Sequence, residues 1–445
     1  MARKVYPAYT LTLDAIAGGG QAIGTLDDGR KCFVWGGLPG ESVAIQSTKI
    51  KSSLVEGVVT EALTSSPERV RPQDAESYLS TSPWQIMTFE AEQKYKAQLI
   101  YDAFALHNIR LPQPPNVYSN DNIYGYRNKI EFSWFSQTDP TSGVDTLDLA
   151  FFRRGSKGKI VVNGTSLAHP SINRLAREIR DLLHQKSISA RQLKTLLIRS
   201  DKSGNCVWQL YTKDKLPDTI TEQEADKLSA QGGEIIYSDP RSPASRITER
   251  LASFGDITLR DNLLGTTFRY ATESFFQINL PVYSQVLSDI RKFIPPEKPV
   301  IDLYSGVGTI GLTVTSKDQP LKLIEINSSA VDEMKHNISD LGRKNTEAIL
   351  SASENVTDQI EPNSTIIVDP PRAGLHQDVT MRLLETAPKR IIYLSCNPVT
   401  QARDIQLLSE KYDISHMQGY NFFPRTPHIE NLVILDLKFS SSSLS

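Results

Sequence analysis

Short apolar runs separated by turn residues occupy about the first 60 positions of the chain. Residues that interrupt regular structure, among them Gly18–Gly20 and Leu38–Glu41, stand between these runs. A small β-barrel fits this pattern, because strands that close on themselves leave no exposed edge. We therefore predict an OB-like β-barrel over residues 1–62. The apolar runs are Tyr9–Leu13, Cys32–Trp35, Val43–Ile45 and Val55–Val59.

The centre of the chain mixes helical and strand periodicities, which predicts an α+β region over residues 63–270. A helix is expected over 89–108, with one apolar face formed by Leu99, Ile100, Ala103 and Phe104. This helix could also pack with the domain that follows. A second helix is expected near Ile172–His184, and strands near Tyr126–Phe135, Leu147–Arg153, Leu193–Ser200 and Asn205–Tyr211.

From about Pro281 onward, strands alternate with helices or loops. The alternation predicts a doubly wound, Rossmann-like domain over residues 271–445, whose ligands bind at the carboxyl ends of the strands. The strands are expected from short apolar runs at Val300–Leu303, Leu323–Ile326, Thr365–Val368, Arg390–Leu394 and Asn431–Lys438.

Composition excludes several classes of protein. Hydrophobic residues make up 39% of the chain and charged residues 22%, as in soluble globular proteins, and no run approaches the roughly 20 apolar residues of a membrane span. The N-terminus lacks the apolar core of a signal peptide, so we expect a cytoplasmic protein that binds no membrane. The three cysteines have no disulfide or metal-ligand spacing, so no structural metal is expected.

The net charge of −2 gives no general attraction to nucleic acid, so any RNA contact must come from local basic patches. Aromatic and cationic side chains together can stack on bases and hold phosphates. A hairpin with a solvated tip would explain the same composition, and the sequence does not decide between the two. One such patch combines Phe151, Phe152, Arg153, Arg154, Lys157 and Lys159.

A glycine-rich turn follows the first strand of the C-terminal domain. The segment Tyr304–Gly311 contains three glycines, which let backbone approach a ligand closely. About 20 residues later the next strand ends at Glu325, whose carboxylate can accept hydrogen bonds from both hydroxyls of a ribose. We therefore predict an adenosine-type ligand, with a merely solvated strand-end carboxylate as the alternative for Glu325.

Three further polar residues stand beside predicted strands of the same domain. Asp369 opens a rigid Asp-Pro-Pro-Arg loop, Cys396 follows a strand, and Glu430 precedes the last strand. Cys396 would be a good nucleophile if its pKa were lowered. The alternatives are a turn or helix-cap role for Asp369 and inert burial for Cys396. His428 could be read as a base in place of Glu430.

These residue types suit methylation of carbon 5 of uracil. That carbon is a poor nucleophile until a thiolate adds to C6 and makes C5 enolate-like, able to attack a methyl sulfonium. A base must then remove the C5 proton so that the thiolate can leave. One cysteine, one carboxylate and one S-adenosylmethionine fulfil these roles. Arg372 stands where amino-directed methyltransferases usually have an aromatic residue, which argues against N-methylation.

With these motifs the chain resembles the RNA 5-methyluridine methyltransferases, in particular the 23S ribosomal RNA branch that carries an N-terminal TRAM domain. The resemblance covers nearly the whole chain, and Ser395–Pro398 and His428–Glu430 are its most specific segments. It implies a TRAM barrel, a central RNA-binding domain and a class I methyltransferase domain. It also implies S-adenosylmethionine as cofactor and structured RNA as the partner of a monomeric enzyme.

The resemblance implies a role for each site residue. Cys396 would be the C6 nucleophile, and Glu430 the base that removes the C5 proton. The segment Phe275–Asn279 looks like the family's Phe-x-Gln-x-Asn signature, in which Phe275 would pack on the target base. The cofactor would be contacted by Gln277, Tyr304, Glu325 and Asp369, the last of these at its junction with uracil.

Two segments depart from the family pattern. Many relatives hold an iron–sulfur cluster through four cysteines, but Leu79–Ile86 and Thr165–Ser166 stand in their place and contain none, so we predict no cluster. Trp84 could fill that space by apolar packing. Ser351–Ser353 offers no acidic or amide side chain near the adenine, so we expect backbone to read it there.

Three other functions share features with this sequence. A cytosine-C5 methyltransferase would usually have a Pro-Cys nucleophile or a second cysteine in the Asp-Pro loop, and this chain has neither. Transfer RNA could replace ribosomal RNA as the substrate, since some relatives with this layout modify it. A non-catalytic RNA-binding protein could retain the fold, although binding alone needs no nucleophile.

Overall fold

The computed structural model describes residues 6–138, 143 and 145–438. The outer ends of the first and last predicted domains, residues 1–5 and 439–445, lie outside these residues, and the three domain boundaries stay predictions. The chain forms two compact units. Unit 1 comprises Met1–Tyr95, Asn122–Ile257 and Phe423–His428, and unit 2 comprises Lys96–Asp121, Thr258–Phe422 and Ile429–Ser445.

Unit 1 begins with a closed five-stranded barrel, which confirms the barrel predicted at the N-terminus. Its strands are β1 (Ala8–Ile16), β2 (Ala22–Thr25), β3 (Lys31–Trp35), β4 (Ser42–Ile50) and β5 (Leu54–Ala62). They pair in the order β1-β2-β3-β5-β4, and antiparallel pairing of β4 with β1 closes the barrel. Alternate side chains such as Leu11, Leu13, Val43 and Ile45 fill the interior, as the period of a strand requires.

The next segment holds a short helix, α1 (Tyr78–Thr81), a 3-10 turn at Pro83–Ile86, a long helix, α2 (Phe89–Leu106), and a two-residue strand, β6 (Val117–Tyr118). The apolar face predicted for α2 is present. Ile100 and Phe104 are fully buried in the core of unit 2.

The larger part of unit 1 is a seven-stranded sheet with one face covered by a helix. The sheet order is β13-β12-β11-β10-β7-β8-β9. The helix α3 buries its apolar stripe, which includes Ile172, Leu175 and Ile179, in the core of this sheet. The elements are β7 (Lys129–Phe135), β8 (Asp148–Phe152), β9 (Lys159–Val161), α3 (Pro170–Gln185), β10 (Leu193–Ser200), β11 (Cys206–Thr212), α4 (Glu222–Ala225), β12 (Gly232–Tyr237) and β13 (Glu249–Gly255).

Unit 2 contains a hairpin, β14 (Thr258–Leu263) with β15 (Thr266–Ala271), and an eight-stranded sheet in the order β18-β17-β16-β19-β20-β22-β21-β6. The strands β16 to β20 are parallel, whereas β22 runs antiparallel to β20. The elements are α5 (Leu280–Arg291), β16 (Val300–Leu303), α6 (Thr309–Val314), β17 (Leu321–Glu325), α7 (Ser328–Asp340), β18 (Thr346–Leu350), β19 (Thr365–Val368), α8 (Gln377–Thr386), β20 (Arg390–Ser395), α9 (Pro398–Leu408), β21 (Tyr412–Tyr420) and β22 (Glu430–Leu437).

Hydrogen bonds join the segments that stand where many relatives have cluster cysteines. The Asp74 carboxylate accepts from Thr165 Oγ1 at 3.0 Å and from Ser166 N and Oγ at 3.0 and 2.9 Å. Gln85 Nε2 donates to Asp74 Oδ2 at 3.2 Å and to Ser166 Oγ at 3.2 Å. Hydroxyl and amide groups do not suit an iron–sulfur cluster, which is held by thiolates.

Trp84 lies in the same segment and is buried, as an apolar filler would be. Its indole Nε1 also donates to the carbonyl oxygen of Gly20 at 2.8 Å, which ties the segment to the barrel. The packing at this place is therefore supplemented by directed polar contacts. No helix in the described part of the chain has the length and apolar composition that crossing a membrane requires.

Replacing Asp74 by alanine removes the acceptor that unites these segments. We expect Asp74→Ala to lower the free energy of unfolding of unit 1 by about 2 kcal/mol, because several donors lose their partner at once. All four tryptophans belong to unit 1, so urea unfolding followed by tryptophan fluorescence reports on that unit. The control is Glu76→Ala, an exposed carboxylate nearby, which should change the value by less than about 0.5 kcal/mol. Equal effects of both substitutions would contradict this account.

Candidate active site

A cavity of about 710 Å³ lies in unit 2, beside the carboxyl ends of β16, β17, β19 and β20. Ligands of doubly wound sheets bind at this edge, and the volume suits a molecule of nucleotide size. All seven residues predicted from the sequence line the cavity. They are Phe275, Gln277, Tyr304, Glu325, Asp369, Cys396 and Glu430.

The turn between β16 and α6 gives the cavity a closely packed wall. Tyr304, Gly306 and Gly308 all have positive φ, at 61°, 57° and 85°. For Tyr304 this conformation costs on the order of 1 kcal/mol, which the surrounding packing must offset. A Cβ atom added at Gly308 would lie 2.9 Å from Leu312 and 3.1 Å from Leu323, so only glycine lets the turn sit this close to its neighbours.

Glu325 is fixed in the cavity wall by backbone donors on two sides. Its Oε2 accepts from Gly306 N at 2.9 Å, and its Oε1 accepts from Asn327 N at 2.8 Å. The strand-end carboxylate is thus tied to the glycine turn. Each oxygen keeps a second lone pair for a ligand in the cavity.

The part of the cavity expected to receive an adenine contains a carboxylate that the sequence prediction did not include. Ala352 and Ser353 line the cavity, and so does Glu354, one residue beyond the segment considered. Backbone recognition at Ser351–Ser353 stays a prediction, but a carboxylate is available beside it. Ile326 also lines this part and is 69% exposed.

Asp302, to which the sequence analysis assigned no role, lies buried behind the glycine turn. Its Oδ2 accepts from Gly311 N at 2.9 Å, while Oδ1 has no hydrogen-bond partner among the described residues. Burial raises the pKa of Asp302 to about 8. The sequence feature that could have identified Asp302 is an acidic residue inside the apolar strand Val300–Leu303, because acidic residues are seldom fully buried without a partner.

Strand register brings Cys396 and Glu430 together. The antiparallel pairing of β20 with β22 ends at Ser395 opposite Asn431. The next position on each side is therefore Cys396 opposite Glu430, at the cavity edge of the sheet. Cys396 is partly exposed, whereas Glu430 is 4% exposed.

The Asp-Pro-Pro-Arg loop is bound to the start of α9. The carbonyl oxygen of Arg372 accepts from Asn397 Nδ2 at 2.9 Å and from Thr400 Oγ1 at 3.1 Å. Asp404, buried on α9, accepts from Leu375 N at 2.8 Å. These bonds hold the loop that carries Asp369 against the segment that carries the cysteine.

The charge balance of the site keeps Cys396 protonated. Burial raises the pKa of the Cys396 thiol to about 11, and the Glu430 and Asp369 carboxylates add to the effect. The Arg372 guanidinium opposes it through its charge and a hydrogen bond. These protein groups therefore do not provide the lowered thiol pKa that a nucleophile would need.

The pKa values of the Asp369 and Glu430 carboxyls are also raised, which favours their protonated forms. Burial raises the pKa of Asp369 to about 7. Burial, and after it the Asp369 carboxylate, raise the pKa of Glu430 well above its usual range, with Arg372 opposing. Each group is consequently a stronger base than an exposed carboxylate.

The remaining predicted residues occupy different surroundings. Phe275 is 70% exposed at the cavity, whereas Gln277 is buried. Tyr283, which the sequence analysis missed, lines the cavity and shares a hydrogen bond of 2.8 Å with Thr309 Oγ1. His428 is exposed, packs edge-on against Phe423 and is not among the residues that line the cavity.

Comparison with known protein families gives the identity of the fold and of the reaction class. The family model described as tRNA (Uracil-5-)-methyltransferase matches residues 90–438, which is more than three quarters of the chain. The chain belongs to this family. Members of the tRNA (uracil-5-)-methyltransferase family are RNA methyltransferases, so RNA methylation and an RNA substrate follow from the membership.

Two bacterial relatives and one solved structure extend the match over the whole length. A protein of Fusobacterium nucleatum, described as an uncharacterized RNA methyltransferase, is 27% identical and covers 98% of this chain and 97% of its own. One of Bacteroides thetaiotaomicron with the same description is 28% identical and covers 95% and 100%. The Pyrococcus abyssi tRNA (uracil-54, C5)-methyltransferase, solved with S-adenosyl-L-homocysteine, shares the mixed α/β fold with a TM-score of 0.78 at 21% identity, over 96% of this chain and 100% of its own.

The raised pKa of Cys396 predicts a slow reaction with alkylating reagents at neutral pH. Only the thiolate reacts, so the rate of iodoacetamide labelling at Cys396 should rise about tenfold per pH unit between pH 8 and 10 without a plateau. Arg372→Gln removes the cation that favours the thiolate and should lower the rate at pH 9. The exposed cation of Lys298 lies elsewhere in unit 2, and Lys298→Gln should leave the rate unchanged. Peptide mass spectrometry measures the labelling, and a plateau below pH 9 would contradict the account.

Proposed function

We propose that this chain transfers a methyl group from S-adenosylmethionine to C5 of a uridine in RNA, through a covalent bond between Cys396 and C6. The observation that carries the proposal is the single cavity lined by Cys396, Glu430, Asp369 and Glu325. A thiol opposite a carboxylate supplies the nucleophile and the base that methylation of this carbon requires. Family membership supports the RNA substrate.

The cavity fits the adenosyl part of S-adenosylmethionine. Glu325, held by two backbone donors, has lone pairs left for the ribose hydroxyls. Tyr304 and Ile326 offer apolar surface to a flat adenine, and Glu354 stands beside it. When bound, S-adenosylmethionine supplies an electrophilic methyl group and a positive charge.

The protein residues then act on the uracil in sequence. Cys396 Sγ forms a bond to C6, and the electron pair of the C5–C6 double bond moves toward O4, which makes C5 the nucleophile. C5 then forms a bond to the methyl carbon while the bond from that carbon to the sulfonium sulfur breaks, and the sulfur leaves as a neutral thioether. Glu430 next removes the C5 proton. The electron pair of that C–H bond restores the double bond, and the thiolate leaves.

The thiol must lose its proton before it can add. Asp369 and Glu430 border the thiol closely enough to raise its pKa, and each can accept a proton when ionised. A positive charge in the cavity favours the ionised carboxylates and the thiolate alike. We therefore propose that the cofactor binds before the nucleophile is activated.

Phe275 is proposed to hold the target base. Its ring is 70% exposed, which leaves its face open for stacking. A uracil inside a duplex cannot reach Cys396, so the target must leave its stack. A uridine in a loop should therefore react faster than one in a duplex.

For the RNA, we propose 23S ribosomal RNA, with transfer RNA as the alternative. The resemblance of the layout to the TRAM-containing ribosomal branch supports the first. The barrel alone does not discriminate, because the superposition with the Pyrococcus abyssi transfer RNA enzyme spans 96% of this chain. The substrate experiment must therefore include both RNAs.

The test is methyl transfer from labelled S-adenosylmethionine to unmodified ribosomal RNA and transfer RNA. We expect the wild type to produce labelled 5-methyluridine in the ribosomal fraction and Cys396→Ala to produce none, since an alanine side chain cannot add to C6. His428→Ala, which changes an exposed residue outside the proposed machinery, should retain the activity.

Each other outcome has a distinct meaning. Label confined to transfer RNA would identify transfer RNA, not ribosomal RNA, as the substrate. Label that persists in Cys396→Ala would reject the covalent mechanism. If S-adenosylmethionine raises the melting temperature of the wild type and neither RNA is labelled, the chain is a binding protein that retains the fold.

A further inference from the structure

The tip between β8 and β9, residues 153–158, is held in one place by contacts within unit 1. Arg153 N donates to Gly158 O at 2.8 Å, which closes the hairpin. The guanidinium of Arg154 lies 4.2 Å from the ring centroid of Trp35 in the barrel, and its Nε donates to Leu79 O at 2.6 Å. Arg154 thus anchors the tip.

Close packing adds to this anchoring. Gly155 has a φ of 76°, and a Cβ atom built on it would lie 3.0 Å from Thr48 and 3.2 Å from Val58. These two residues belong to β4 and β5, so the tip rests on the barrel with no room for a larger residue. A tip placed in this way is already ordered before any partner arrives.

The structure divides the basic and aromatic patch noted in the sequence into two groups. Phe151 stacks on Phe132 at 5.3 Å and belongs to the core of the central sheet. Lys159 Nζ donates to Trp134 O at 2.7 Å. Together with Arg154, these residues serve the fold.

The second group, consisting of Phe152, Arg153 and Lys157, faces solvent. Phe152 is 66% exposed, and Arg153 and Lys157 are exposed without an ion-pair partner in the part of the chain that the structure describes. We call these three residues the hairpin platform. Apart from its contact with Lys159, this ring adds little to the fold, because most of its apolar area stays in water.

The charges around the ring have one sign. Lys159 Nζ lies 5.2 Å from the ring centroid of Phe152. From Phe152 to Lys159 every charged side chain is a cation. Such a surface complements a polyanion that also carries flat apolar groups, which describes single-stranded RNA.

We propose that the hairpin platform binds an unpaired stretch of the RNA substrate, with one base stacked on Phe152 and the flanking phosphates on Arg153 and Lys157. This rests on the proposed function only in taking RNA as the partner. The platform belongs to unit 1 and the cavity to unit 2, and none of its three residues lines the cavity. The nucleotide it holds is therefore not the one that is methylated.

The test uses the full-length chain and two fluorescein-labelled probes, a single-stranded oligouridylate of about 20 nucleotides and an RNA duplex of the same length. Phe152→Leu keeps an apolar side chain but removes the aromatic face, and should weaken binding of the single strand about tenfold and of the duplex less than about twofold. Phe152→Tyr restores the face and should bind within about twofold of the wild type.

The charge pair is tested separately. The double variant Arg153→Gln with Lys157→Gln should weaken single-strand binding about tenfold and reduce the slope of log Kd against log salt by about 1.4, which corresponds to two phosphate contacts. The matched controls are Lys227→Gln with Lys298→Gln, which removes two exposed cations elsewhere, and Leu63→Ala, which removes an apolar side chain that is 50% exposed. Both should bind within about twofold of the wild type.

Three results would contradict the proposed role of the hairpin platform. Phe152→Leu could bind the single strand within twofold of the wild type, or lose affinity for single strand and duplex equally. The control variants could also lose as much affinity as the platform variants. Thermal stabilisation by S-adenosylmethionine, measured on every variant, shows that the fold and the cavity persist. Failure of the proposed function would give a different result from failure of the platform. The wild type would then bind the oligouridylate in the platform-dependent manner described but label no RNA.

Discussion

The register between β20 and β22 is the constraint on which the active site depends. It ends at Ser395 opposite Asn431, so that the proposed nucleophile and the proposed base become neighbours although 34 positions separate them in sequence. A shift by one residue would turn every side chain of β22 to the other face of the sheet. A buried glutamine on α9 fixes the register: Gln401 donates to the carbonyl oxygens of Tyr393 and Asn431 and accepts from Asn431 Nδ2.

The same juxtaposition imposes an electrostatic cost. Cys396, Asp369 and Glu430 would all be anions if ionised, and the Arg372 guanidinium of the Asp-Pro-Pro-Arg loop is the cation that opposes these charges. The raised pKa values of all three groups favour their protonated forms, which lowers this cost and leaves the cysteine as an unreactive thiol. A thiol is also much less prone to oxidation than a thiolate. In the proposed mechanism, activation depends on a positive charge entering the cavity, which couples the chemistry to cofactor binding.

The sequence predicted the barrel, the apolar face of α2 and the positions of all seven cavity residues, because each depended on a local pattern. Residues at strand ends, such as Glu325 and Cys396, can be assigned to the site from the sequence, because the carboxyl ends of neighbouring parallel strands lie at the same edge of the sheet. The pattern did not reveal β18 or β21, which lie toward the two ends of the sheet and carry many polar residues, such as those in Tyr412–Tyr420. It could not reveal the raised thiol pKa either, because burial and the approach of two carboxyls arise only in the folded chain.

The proposed mechanism requires Cys396 as the nucleophile and Glu430 as the base. The most direct measurement is denaturing electrophoresis, with peptide mass spectrometry, of Glu430→Gln incubated with RNA and methyl-labelled S-adenosylmethionine. Without the base, the C5 proton stays, so the account predicts a methylated RNA joined covalently to Cys396 that persists in denaturant. Turnover by this variant at the wild-type rate, or an adduct on a residue other than Cys396, would contradict it.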